Sequence, residues 1–199
     1  PCFPLRGAIE GFYGTPFTQK QRKDLFSYLR KIRMNAYIYA PKDDLYHRDR
    51  WREAYPAEDL SLLKDLKKEA DKNYIDFYFA ISPRKDFCYA DDNDYGILLR
   101  KLSAVAACGI DKFALLMDDI QPVLSKEEAA IYDSPAQAQA TIANRLEEDL
   151  QKSAPLLFCP TDYMQNFDTP YREDLRKYLN RKTEVFWTGY NTVAEAITE

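Results

Sequence analysis

Short apolar runs alternate along the whole chain with longer segments whose apolar residues recur every three or four positions. The runs read as strands: RGAIEGF over 6–12, AYIYA over 36–40, IDFYFAIS over 75–82, KFALLMDD over 112–119, PLLFCPTDY over 155–163 and EVFWTG over 184–189. The intervening segments read as helices. Leu25, Phe26, Leu29 and Ile32 make the first helical face, with Thr18 at its N-cap and Gln21 as capping-box partner. Leu60, Leu63, Leu66 and Ala70 mark a second face, and Ile97, Leu98, Leu102 and Val105 a third, which Gly109 can terminate. A fourth helix passes through Ile142 and Leu146, and another lies near 171–180. A long loop, PKDDLYHRDRWREAYP, follows the second strand, and the tail TVAEAITE reads as the start of the next connection or helix.

Near-continuous apolar strands alternating with helices predict an α/β fold, a parallel sheet covered by helices. An open doubly wound sheet and a (β/α)8 TIM-type barrel both fit that order. The first turn, EGFYGTPF, carries neither G-x-G-x-x-G nor a P-loop. Polar residues instead fall at strand end after strand end: Glu10 with Gly11, Lys42 with Asp43 and Asp44, Asp118 with Asp119, Asp162 with Tyr163, and Thr188. A barrel gathers such residues into one site at its C-terminal face, so the barrel is the expected architecture. Residues 1–199 are read as one catalytic barrel domain holding six of the eight β/α units. A complete barrel takes about 250 residues. The last two strands are therefore expected to be missing, leaving an open sheet edge prone to pairing.

The chain is 46% hydrophobic with a net charge of −4, a globular composition that argues against a nucleic-acid partner. The basic stretches KKEADK and RKYLNRK alternate with acids or fall at helical spacing, as solvated helix faces do. No apolar run approaches the roughly 20 residues of a membrane helix. The four cysteines, Cys2, Cys88, Cys108 and Cys159, are scattered, and His47 is the single histidine, so neither a zinc site nor a disulfide framework is expected. Cys108 and Cys159 lie in apolar context and read as buried thiols.

The stretch LLMDDI, 115–120, runs an apolar strand straight into Asp118 and Asp119. Three readings are compatible with that pair: capping of the next helix or exposure to solvent, a Mg²⁺ site, or acid–base chemistry. Glycoside hydrolysis commonly uses two carboxylates. In its substrate-assisted form the sugar's 2-acetamido oxygen attacks the anomeric carbon to give an oxazoline. One carboxylate must then be ionised to hold the amide N–H, and the other protonated to serve the leaving oxygen. Close spacing drives two such groups apart in titration.

GAIEGFYGTPF, NAYIYAPKDDLYHRDRWREAYP, FAISP, KFALLMDDI, AQAQATIAN, LFCPTDY and FWTG together resemble glycoside hydrolase family 84, the β-N-acetylglucosaminidases, in the family's order and over nearly the whole chain. The resemblance implies a barrel that removes terminal β-linked N-acetylglucosamine with retention, without metal or cofactor. Asp118 then corresponds to the carboxylate on the acetamido N–H and Asp119 to the general acid/base. Gly11 would offer its carbonyl to a sugar hydroxyl, Lys42 would bind sugar hydroxyls, and Tyr163 would orient the acetamido oxygen. The implied partner is a GlcNAc-containing glycan or an O-GlcNAc-modified protein. The compartment is left open, nucleocytoplasmic as in animal relatives or exported as in bacterial ones.

Other polar residues are read more plainly. Asp43 and Asp44 are expected to order their loop with Arg48 or Arg52, Trp187 to be wall or core, His47 to have no catalytic role, and Cys159 to be buried. The family's WDN-type segment is missing after Trp187, so part of the sugar-binding wall is expected from a C-terminal segment or from self-association of the open edge. Activity of this chain alone is expected to fall below that of a complete barrel. Two other classes compete: a non-catalytic glycan-binding module, which has no need of Asp119, and a metal-dependent barrel hydrolase, which a chelator would silence.

Overall fold

The computed structural model describes residues 3–84, 86–118, 120, 123–150, 152–164 and 168–196. Six parallel strands lie in sequential order: β1 (Gly7–Glu10), β2 (Ala36–Tyr39), β3 (Asp76–Ile81), β4 (Lys112–Leu116), β5 (Leu157–Cys159) and β6 (Glu184–Val185). Each is hydrogen-bonded to the next in parallel register, for example Gly7 opposite Ala36 and Leu116 opposite Cys159. Between them run α1 (Gln19–Lys31), α2 (Ala57–Lys72), α3 (Asp92–Ala106), α4 (Pro135–Asp149) and α5 (Pro170–Tyr178). This is a (β/α)8-type wall of six units, as the alternation predicts. Among the described residues β1 and β6 each pair on one side only, so the wall is open.

Alternation along the strands divides the core into two layers. Tyr37, Tyr39, Phe77, Phe79, Phe113, Leu115 and Phe158 face the helices and meet Phe26, Leu63, Leu98 and Ile142 there. Ala36, Ile38, Ala40, Tyr78, Ala80, Ala114, Leu116, Leu157 and Cys159 form the second layer, on the inner face. The inner layer is thin and rich in alanine, and Ile9 at its β1 edge is 48% exposed. At Gly7 an added Cβ would lie 2.1 Å from the Ala36 carbonyl oxygen, so β1 can approach β2 at that point only with glycine.

The observed strands are shorter than the apolar runs. The run 155–163 is a strand only over Leu157–Cys159, and 184–189 only over Glu184–Val185. Beyond those points side chains and loops take over the strand-end hydrogen bonds. The Thr18 cap is present as read: Gln21 N–H donates to Thr18 Oγ1 at 3.2 Å, and Thr18 N–H donates to Gln21 Oε1 at 2.8 Å. Replacing Thr18 with alanine is expected to cost about 1 kcal/mol, read as a lower urea midpoint at unchanged slope. Among the described residues no helix is long and apolar enough to cross a membrane.

Candidate active site

Asp118 continues the period of Ala114 and Leu116 on the inner face, and Lys42 continues that of Ile38 and Ala40. The two meet: Lys42 Nζ lies 3.3 Å from Asp118 Oδ2, with side chains 8% and 19% exposed. The other carboxylate oxygen, Asp118 Oδ1, is buried and has no hydrogen-bond partner among the described residues. A carboxylate paired with a cation at one oxygen can accept a further donor at the other.

The β1 loop joins this pair. Lys42 N–H donates to the Phe12 carbonyl at 3.4 Å, which brings the backbone beside Gly11 to the lysine. An added Cβ at Gly11 would touch only the Ile9 side chain, at 3.4 Å, and no left-handed φ is required there. A tight turn therefore does not explain this glycine, whereas Gly14, at φ 98°, does serve that purpose. Tyr163 is half-buried and packs against the inner layer beyond β5, with Leu5 and Phe186. Its carbonyl accepts from Thr188 N–H at 3.1 Å. Lys42 and Asp118 are thus in contact, Gly11 lies one residue before the Phe12 carbonyl that Lys42 bonds, and Tyr163 stands on the neighbouring strand end. Asp119 lies outside the described residues.

Several strand-end residues have other work. Glu10 faces α1, on the helix side of the sheet, where Arg22 holds it through two bonds of 2.8 Å. Asp44 does order its loop, through phenols and backbone N–H groups among the described residues. Its carboxylate accepts from Tyr39 and Tyr55 hydroxyls, each at 2.8 Å, and from the N–H groups of Tyr46 and His47 at 2.9 and 3.2 Å. Arg52 instead pairs with Asp86 and Asp94. Trp187 lies with Val185, opposite in period to Phe186 of the inner layer, under the Arg172 guanidinium at 4.5 Å. Cys159 is buried as expected, whereas Cys108 is half-buried, because it follows the last turn of α3 rather than lying within it.

His47 differs most from its polar-loop reading: it is fully buried, with Nδ1 2.8 Å from the Ala80 carbonyl. Ser82 N–H donates to the His47 carbonyl at 3.1 Å, so the loop carrying Lys42 is fastened along the end of β3. Burial pushes the imidazole down to about 4, with Lys42 and Arg48 adding to the shift and the Ala80 carbonyl and Asp44 opposing it. The unfolded chain would protonate His47 near 6.5, well before the folded one. Its contribution is therefore fully present above pH 6.5 and lost as pH falls toward 4. Urea unfolding from pH 7 to 4 should show a loss of about 3 kcal/mol that His47→Asn removes.

Sequence reading also missed the residues lying over the lysine. Tyr13, 67% exposed, has Lys42 Nζ 5.9 Å and the Arg48 guanidinium 5.3 Å from its ring centre. Arg48 also donates to the Tyr13 hydroxyl at 3.1 Å. The signal was present in EGFYG and KDDLYHR, but nothing in spacing alone puts residues 35 positions apart face to face. Among the described residues no three of His, Cys, Asp and Glu gather into a group able to hold a metal ion.

Parallel β/α units in sequence order, with a lysine–carboxylate pair on the inner face at the C-terminal strand ends, define a TIM-barrel-type enzyme fold with a polar site at its C-terminal face. Comparison with known proteins narrows the class. The β-N-acetylglucosaminidase family model matches residues 6–199, and the chain belongs to that family. It is 39% identical to Protein O-GlcNAcase of Rattus norvegicus and of Mus musculus over 97% of its own length and 22% of theirs. The chain thus spans about a fifth of the length of these relatives. A solved structure of a mutant O-GlcNAc hydrolase from Thermobaculum terrenum superposes with a TM-score of 0.93 at 35% identity. The match covers 98% of this chain and 43% of that one.

Proposed function

We propose that this chain carries the catalytic face of a retaining exo-β-N-acetylglucosaminidase that removes terminal β-linked GlcNAc, such as O-GlcNAc on serine or threonine. The observation that supports it is the buried Asp118 Oδ1, which has no hydrogen-bond partner among the described residues, beside the Lys42–Asp118 pair. An acetamido N–H is the donor that oxygen lacks. Once bonded there, the amide is oriented with its carbonyl oxygen toward the anomeric carbon, and the carboxylate offsets the positive charge that develops on the nitrogen. Asp119 donates its proton to the leaving oxygen and then takes one from water as the oxazoline opens. Lys42 and the Gly11 carbonyl hold sugar hydroxyls, and Tyr163 bounds the acetamido group.

The open wall also bears on activity. Among the described residues β1 and β6 pair on one side only, so the sugar is enclosed by an incomplete wall and turnover by these six units alone is low. The test is hydrolysis of a fluorogenic aryl β-N-acetylglucosaminide, with Asp119→Asn in parallel and EDTA as control. Turnover that persists in EDTA and disappears in Asp119→Asn is the expected result. Turnover retained by the variant, or lost to chelator, would sink the reading.

A further inference from the structure

We infer that Gln139 is a positioning residue: with Thr161 it clamps the ends of β4 and β5 and so sets the separation of Asp118 from Tyr163. The inference rests on the proposed function for its catalytic consequence, and on hydrogen bonds alone for its structural part.

Pairing of β4 with β5 is short, with three residue pairs ending at Leu116 and Cys159. One more rung follows, from Met117 N–H to the Cys159 carbonyl at 2.8 Å. In a regular parallel ladder the Met117 carbonyl would next accept the backbone N–H of Thr161. It accepts the Thr161 side chain instead: Oγ1 donates to it at 2.9 Å. The displaced Thr161 N–H goes to the Tyr171 hydroxyl on α5 at 3.2 Å. That hydroxyl donates to Gln139 Oε1, and Gln139 Nε2 donates back to Thr161 Oγ1 at 2.8 Å. The second Nε2 bond reaches the Tyr89 hydroxyl at 3.1 Å. A closed ring of bonds therefore replaces one backbone rung.

The ring depends on an amide. Gln139 is fully buried on the alanine-lined face of α4, between Ala136, Ala140 and Ala143. It donates twice and accepts once there, which neither a carboxylate nor an apolar side chain can reproduce. Burial raises both Tyr89 and Tyr171 above the ordinary phenol range, so both stay protonated and keep their directions. Because Gln139 donates to Thr161 Oγ1, the hydroxyl proton is left for the Met117 carbonyl. That carbonyl precedes Asp118 by one residue, and Thr161 precedes Tyr163 by two. A carboxylate at 139 would draw the hydroxyl proton to itself and release β4.

The experiment compares Gln139→Glu, Thr161→Val and Thr161→Ser with the native chain. Two readings are taken, amide hydrogen exchange at Met117 and kcat against KM on the aryl β-N-acetylglucosaminide. Gln139→Glu and Thr161→Val should speed Met117 exchange about tenfold or more at temperatures where the protein remains folded. They should lower kcat by about 10- to 100-fold with KM within about threefold, the pattern of displaced catalytic groups. Thr161→Ser keeps the hydroxyl and should match the native chain in both. Unchanged Met117 exchange in Thr161→Val and Gln139→Glu overturns the clamp. So does a serine variant as impaired as valine, or a loss of kcat that only follows a loss of folded protein. A native chain that does not turn over defeats the proposed function instead, and exchange then decides the clamp by itself.

Discussion

Asp118→Asn is expected to lower kcat/KM on an aryl β-N-acetylglucosaminide by about 10²–10³-fold, the size of a lost electrostatic contact to developing charge. Asparagine keeps the shape of the side chain and an acceptor oxygen, so the sugar still binds. What it removes is the negative charge. Lys42 Nζ, 3.3 Å away and almost buried, would then face a neutral amide in place of a carboxylate. In the proposed mechanism the oxazolinium-like nitrogen would develop its charge without the Asp118 carboxylate beside it. The loss should therefore fall mainly on kcat, since the charge appears during the reaction and not on binding. Thermal melting in parallel should show the variant folded. A fall in KM-controlled binding with kcat unchanged would remove Asp118 from the role proposed for it.

The barrel wall was legible because inward and outward residues alternate so regularly. Ala36, Ile38 and Ala40 lead by period to Lys42, and Ala114 and Leu116 lead to Asp118, so these two candidate residues are extensions of the inner layer. Strand ends were less legible, since KFALLMDD gives no sign that pairing stops at Leu116 and that a threonine hydroxyl takes the next rung. His47 shows the same limit. A histidine among KDD and RDR looks solvated, yet its loop folds down onto the end of β3 and excludes water from it. Gln139 could have been suspected, because a glutamine inside the buried stripe of AQAQA breaks an otherwise apolar face, and buried amides occur where every bond is used.

Glu10 carries the other large effect, on stability and not on chemistry. The carboxylate is 1% exposed, accepts two bonds from Arg22, one from Phe17 N–H at 3.0 Å and one from the Tyr37 hydroxyl. Burial acts to lower the Arg22 pKa, yet the bond to Glu10 and the surrounding acids and phenols hold it above the ordinary arginine range. A guanidinium is not deprotonated in proteins, so Arg22 remains charged when its partner is removed. Glu10→Ala should cost about 3–5 kcal/mol, because it strands a buried guanidinium together with a backbone N–H and a phenol. Arg22→Met in the same background should recover part of that loss, since it removes the unpaired charge while refilling its volume. Urea unfolding of the two single variants and the double would read the coupling directly. Equal, additive losses would mean that Arg22 reaches water when Glu10 is gone, and that the junction of β1 with α1 is held by packing and not by this pair.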